Sequence, residues 1–117
     1  MGESVYTLYE KGRKFLDAGH PHQAVIVLER AAAEEPDKGS IRETLGRALY
    51  MTARWERAAA EFAKAVDIDP VNHYAHFGLG LACSRTGDRV KAVKHLRLAV
   101  AMHPREEYRE ALERLTA

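Results

Sequence analysis

A single cysteine, Cys83, leaves this 117-residue chain no partner for an internal disulfide, so nothing in it asks for an oxidising compartment. Apolar runs long enough to span a bilayer are also missing. The opening stretch, MGESVYTLYEKGRKF, lacks the apolar core of a secretory signal. Gly2 is followed by ESVY, without the serine or threonine that a myristoylation signal needs. The expectation is a cytoplasmic protein with no membrane partner. Charge of one sign is scarce too: 18 Lys and Arg face 17 Asp and Glu, a net charge of +1. That balance gives no global field for nucleic acid, and no basic run breaks it, so no nucleic-acid partner is expected.

What the chain does have is order and repetition. With 46% hydrophobic and 30% charged residues it has the composition of a folded domain, and its length fits a single one, residues 1–117. Pro36, Pro70 and Pro104 stand 34 residues apart, and so do Gly12, Gly46 and Gly80. The same period relates Ala24, Ala58 and Ala92, then Ala31, Ala65 and Ala99, then Leu28, Phe62 and Leu96, and then Phe15, Leu49 and Cys83. Such a register divides the chain into units of about 5–38, 39–72 and 73–106.

Each unit reads as two helices joined at Ala18-Gly19-His20, Thr52-Ala53-Arg54 or Thr86-Gly87-Asp88. Apolar residues recur at helical spacing, as in Ala58, Phe62, Ala65 and Val66. Pro21 opens a helix, where its missing N–H costs nothing, and the three periodic prolines end theirs. Gly12, Gly46 and Gly80 fall inside helices, where glycine costs about 1 kcal/mol relative to alanine. Close approach of the paired helix, at Ala24, Ala58 and Ala92, is the expected compensation, and Gly46→Leu is expected to cost about 1–3 kcal/mol. A last helix, about 105–116, sets Tyr108, Ala111, Leu112 and Leu115 on one face and charges on the other, as an end cap requires.

LGRAL (45–49), LGLAC (79–83) and AAAEFAKAVDIDP (58–70) give the chain its family likeness. These stretches resemble the tetratricopeptide repeat, and the resemblance extends over residues 5–106. It departs from the pattern at the usual tryptophan of the first helix, replaced by Leu8, Arg42 and His76, and at Ala53, where a turn glycine is usual. The resemblance implies an all-α fold: a right-handed superhelix of three antiparallel helix pairs with a C-terminal capping helix. It also implies a concave groove, lined by the first helices, that holds a partner's peptide or helix. By resemblance the inward residues are Tyr6, Tyr9 and Arg13, then Glu43, Thr44, Arg47 and Tyr50, then Tyr74, Phe77, Leu81 and Arg85. Aromatics with arginine are the pairing that binding hot spots favour.

Other residues with chemical potential have structural explanations. Gly78 and Gly80 lie mid-helix, without the preceding strand or third glycine of a nucleotide loop. Cys83 occupies a core column and acts as a small hydrophobe. His76 and Cys83 lie about 10 Å apart along a helix, too far to chelate one ion. His73 and His76 lack a third ligand, so no metal and no cofactor are expected. His20 and His22 flank Pro21 in a surface turn, and Trp55 is expected to pack between helices. No catalytic constellation appears, so an enzyme is not expected. The equivalents of the cationic clamp used by chaperone-tail binders of this family are Tyr9, Arg13, Thr44, Tyr74 and Gly78, which lack converging cations, so chaperone-tail binding is not expected. The expectation is an adaptor or scaffold for a partner protein or peptide. Its alternative is a self-associating assembly protein that uses the groove, or Tyr108 and Leu112 of the end helix, as its own interface.

Overall fold

A computed structural model describes residues 2–117 as seven helices in a row. They are α1 (Val5–Asp17), α2 (Pro21–Glu34), α3 (Gly39–Met51), α4 (Trp55–Ile68), α5 (His73–Thr86), α6 (Arg89–Met102) and α7 (Glu106–Thr116). No strand occurs among the described residues, and no helix is long and apolar enough to cross a membrane.

Local chemistry explains where these helices begin and end. The side chains of Ser4, Asn72 and Asp88 accept hydrogen bonds from the backbone N–H groups of Thr7, Ala75 and Lys91, which caps α1, α5 and α6. Pro21 starts α2 in place of a polar cap. The turns between paired helices pass through the left-handed region at Gly19 (φ 80°), Ala53 (φ 61°) and Gly87 (φ 88°). Ala53 is the one non-glycine residue among the described residues to do so, and its Cβ makes that conformation unfavourable.

Each helix packs on its neighbours in sequence, and the stack measures 51 × 25 × 22 Å. Ala24, Ala31, Ala58, Ala65, Ala92 and Ala99 are all fully buried, so the alanine columns lie in the core. The glycines meet different partners from those expected. A methyl group on Gly12 would fall under 3.0 Å from Leu28, and one on Gly80 the same from Leu96. On Gly46 it would stand 3.1 Å from the Phe62 ring. The large column one turn beyond the alanines therefore fills the notch that each glycine leaves; only at Gly80 does an alanine, through the Ala92 carbonyl, come near as well. Phe15 also departs from its column: Leu49 and Cys83 are buried, while Phe15 is half-exposed and Leu16 is buried instead. Phe15 still packs against the core with part of its ring.

One pair of columns changes chemistry from repeat to repeat. At the first position Leu8 is buried and Val27 packs against the same core. One repeat later Arg42 and Glu61 form an ion pair at 2.9 Å, and the Arg42 Nε–H donates to the Pro36 carbonyl. One repeat further His76 donates from Nε2 to the Pro70 carbonyl at 2.8 Å and meets His95 Nδ1 to Nδ1 at 3.0 Å. A neutral His76 that donates from Nε2 accepts at Nδ1, so His95 supplies the proton between them.

Candidate functional site

α3 and α5 present one continuous face, and α7 extends it. Two depressions on this face adjoin, with Tyr50 and Leu81 in the wall of both. The smaller, about 180 Å³, has Met51, Phe62, Tyr74 and Gly78 as its apolar lining and Arg47 at its side. The larger, about 660 Å³, runs along Ser84, Arg85 and Leu96 to Ala111, Arg114 and Leu115.

Aromatic packing ties this face together. Phe62 meets Tyr74 edge to face at 6.4 Å, Tyr74 lies 6.2 Å from Phe77, and Phe77 stacks on Tyr108 at 4.4 Å. Tyr108 shares a hydrogen bond of 2.8 Å with His73 Nδ1, and the His73 ring stacks on His103. This ladder ties the second repeat to α7 through the third. Nearer the turns, Tyr50 packs edge-on against Trp55 at 4.9 Å. Arg85 lies over the Trp55 ring at 4.9 Å and donates from Nε to the Tyr50 hydroxyl. That hydrogen bond holds the guanidinium pKa above its usual value.

The expected groove residues divide into two groups. Arg47, Tyr50, Tyr74, Phe77, Leu81 and Arg85 come together around the two depressions. Within that set Phe77 is mostly buried and serves the ladder more than the surface, and burial raises the Tyr74 pKa. Tyr6, Tyr9, Arg13, Glu43 and Thr44 line neither depression. Tyr6 is 73% exposed, Tyr9 is half-buried with Arg13 over its ring, and Arg13 lies 3.9 Å from Glu10. Glu43 accepts from the Asn72 side chain at 2.7 Å, which fastens α3 to the start of α5. Thr44 is buried, and its hydroxyl donates to the Ser40 carbonyl.

Ala111, Arg114 and Leu115 line the larger depression, although the sequence puts α7 forward as a cap or, through Tyr108 and Leu112, as a self-association interface, and not as part of the groove. Their signal lay in the period: Tyr108 stands 34 residues after Tyr74, so α7 takes the place of a first helix in a fourth unit. One other expectation changes. Tyr108 is fully buried against Phe77, so it is not an exposed interface residue. The two histidines of α5 have separate partners: His73 bonds to Tyr108 and His76 to His95. No group of three or more metal-ligating side chains occurs among the described residues. Cys83 is buried, and burial raises its thiol pKa, which suppresses the thiolate. Trp55 does pack between helices, as expected.

A stack of helix pairs with a lined face defines the class of helical-repeat arrays. The tetratricopeptide repeat model matches residues 9–73 and 53–107, and the chain belongs to that family. Cellulose synthase operon protein C of Komagataeibacter xylinus is similar to it, 32% identical over 95 residues, which is 80% of this chain and 7% of that protein. The chain spans about 7% of the length of the curated relatives it matches. Among solved structures, the first TPR domain of Spaghetti (RPAP3), bound to an HSP90 peptide, superposes with a TM-score of 0.91 at 18% identity. That match covers 96% of this chain and 90% of the other. The Arabidopsis OM64 TPR domain matches with a TM-score of 0.91 at 20% identity, over 95% of this chain and 93% of that one. At these identities the likeness shows the fold alone. Domains of this family are protein–protein interaction modules, and the fold is that of a non-catalytic family.

Proposed function

We propose that this chain is an adaptor that holds a peptide or helix of a partner protein in the groove along α3, α5 and α7. The observation that carries this reading is the pair of adjoining depressions, one apolar and walled by aromatics, the other flanked by arginines. Exposed area of that kind, on a face tied together by an aromatic ladder, binds without a large ordering cost. Capture of a chaperone tail by a cationic clamp is not part of the proposal. Thr44 is buried and bonded to Ser40, Gly78 has no side chain to offer, and Arg13 stands outside both depressions. The residues proposed to touch the partner are Arg47, Tyr50, Tyr74, Leu81 and Arg85, with Arg114 added from α7.

Affinity capture from a lysate of the source cell, read by mass spectrometry, tests the proposal when wild type runs beside the Arg47→Glu, Tyr50→Ala double variant. A protein retained by wild type and lost by the variant is the expected result. Equal recovery on both would move binding off the groove.

A further inference from the structure

Charge is sorted on this molecule. The whole chain is nearly balanced, with 18 basic and 17 acidic residues. Yet every charged residue lining the two groove depressions is an arginine: Arg47 in the smaller, Arg85 and Arg114 in the larger. None of the three makes an ion pair among the described residues, although seven ion pairs form elsewhere. The nearest carboxylate on the same helix as Arg47, that of Glu43, is held by Asn72. Arg85 is fixed in place by Trp55 and Tyr50, so its guanidinium is positioned before any ligand arrives.

The smaller depression sets the second half of the specificity. A dry cavity of about 150 Å³ holds benzene. The pocket over Phe62 and Gly78, about 180 Å³, is of the size for one phenyl ring or one leucine side chain. Gly78 belongs to its lining, and a Cβ there would run into the Phe62 ring that forms the wall beside it.

We infer that the groove selects an acidic segment of a partner protein that carries one aromatic or large aliphatic side chain. The apolar side chain enters the pocket beside Arg47, and carboxylates on one side of it meet Arg85 and Arg114. This inference rests on the groove reading above and narrows it. Recognition uses side-chain carboxylates along the segment, so a free C-terminal carboxylate is not required. Arginine suits this task because its planar donors engage a carboxylate two at a time. The larger depression, long and open, has room for more than one such pair.

A display library of random peptides, selected against the whole chain at low ionic strength, provides the test. The enriched peptides are then measured by fluorescence anisotropy against three variants. Arg85→Glu, Arg114→Glu reverses the charge at exposed positions. Arg85→Lys, Arg114→Lys keeps it, and Arg47→Glu, Tyr50→Ala damages the groove. Circular dichroism confirms that each is folded. The expected outcome is enrichment of peptides with Asp or Glu beside one Phe, Tyr, Leu or Met. Their affinity should fall about tenfold or more on charge reversal and recover most of it with lysine. Selection repeated on the charge-reversed variant should enrich basic peptides. If the enriched peptides are basic or uncharged, and are still lost on Arg47→Glu, Tyr50→Ala, the groove reading stands and the acidic partner is refuted. If no peptide is enriched, or the enriched ones bind every variant equally, both readings fail.

Discussion

Phe62 lies between two glycines, Gly46 of its own repeat and Gly78 of the next, and the two are not equally tolerant. A methyl on Gly46 would stand 3.1 Å from the ring, a distance that a shift of a few tenths of an ångström relieves. A methyl on Gly78 would fall under 3.0 Å from the ring edge, and the ring itself must move. Alanine gains about 1 kcal/mol over glycine in a helix interior. Overpacking costs about 1–3 kcal/mol. Gly46→Ala is therefore expected within about 0.5 kcal/mol of wild type, and Gly78→Ala about 1 kcal/mol or more below it. The neighbouring repeats extend the argument. Where the large column carries leucine, a methyl on the glycine of the same repeat clashes, as Gly12 with Leu28 and Gly80 with Leu96 show. In the same register, the positions equivalent to Gly78 beside those leucines are Thr44 and Leu112, both larger than glycine. Phe62→Leu should therefore reverse the order: Gly78→Ala becomes neutral or stabilising, and Gly46→Ala becomes costly. The Gly78–Phe62 coupling should be about 1–2 kcal/mol in a double-mutant cycle. Urea unfolding followed by circular dichroism gives the six stabilities, with unchanged slopes as the check on two-state behaviour. If Gly78→Ala costs the same with Phe62 as with Leu at that position, the reasoning is refuted.

Ala53→Gly should raise stability by about 0.5–1 kcal/mol by relieving the left-handed turn, measured by thermal melting; a lower melting temperature would contradict it. Glu61→Ala strands the mostly buried Arg42 guanidinium and should cost about 3 kcal/mol, whereas Arg42→Leu with Glu61→Val, the pair found in the first repeat, should be neutral or stabilising. If the double variant is no more stable than the single one in urea, the ion pair is not the cause. Burial, with His76, Lys94 and Lys91 nearby, lowers the His95 pKa from 6.5 to about 4, and burial with His103 and Arg105 lowers that of His73. The unfolded chain then binds more protons than the folded one between pH 6.5 and pH 4, so this contribution is complete above pH 6.5 and is lost as pH falls towards 4. Solvent access to His95 screens the effect to about 1–2 kcal/mol. The His76→Leu, His95→Val variant should lose less stability between pH 7 and pH 5 than wild type, and equal losses would exclude the histidine pair as the source.

Much of the architecture could be read from spacing alone, because each repeat must present the same columns to the same neighbours. The 34-residue period placed all three helix pairs, and the turn positions placed Gly19, Ala53 and Gly87 at the corners. What the period does not carry is which residue of a neighbouring helix fills a given notch. That depends on crossing angle and offset between helices, and it is why Leu28, Phe62 and Leu96, not the alanines, face the glycines. The groove was legible only in its middle. Residues of α3 and α5 that share a face also share the depressions. Tyr6, Tyr9 and Arg13 fall outside them, and Arg114 and Leu115 fall inside, because the depressions lie towards α7.

The columns at 8, 42 and 76, and at 27, 61 and 95, show how a repeat fold tolerates such variety. The geometry at this position is fixed by its neighbours: Pro36 and Pro70 each offer a carbonyl to the residue six places on, and that residue faces one nineteen places further. A polar pair serves when it satisfies both demands, and an apolar pair serves when the proline carbonyl is left to solvent. Leucine with valine avoids polar groups altogether, arginine with glutamate meets both the carbonyl and its partner, and two histidines do so while they share one proton between facing nitrogens. The second and third solutions need both members of the pair, since a lone charged or donor group would be left partly buried without a counterpart. They therefore tie residue choice in the first helix to that in the second, and a substitution at one site alone breaks a link that its column, read by itself, does not reveal. The apolar solution carries no such dependence, which is why its transfer from the first repeat to the second is the sharper test of what holds this array together.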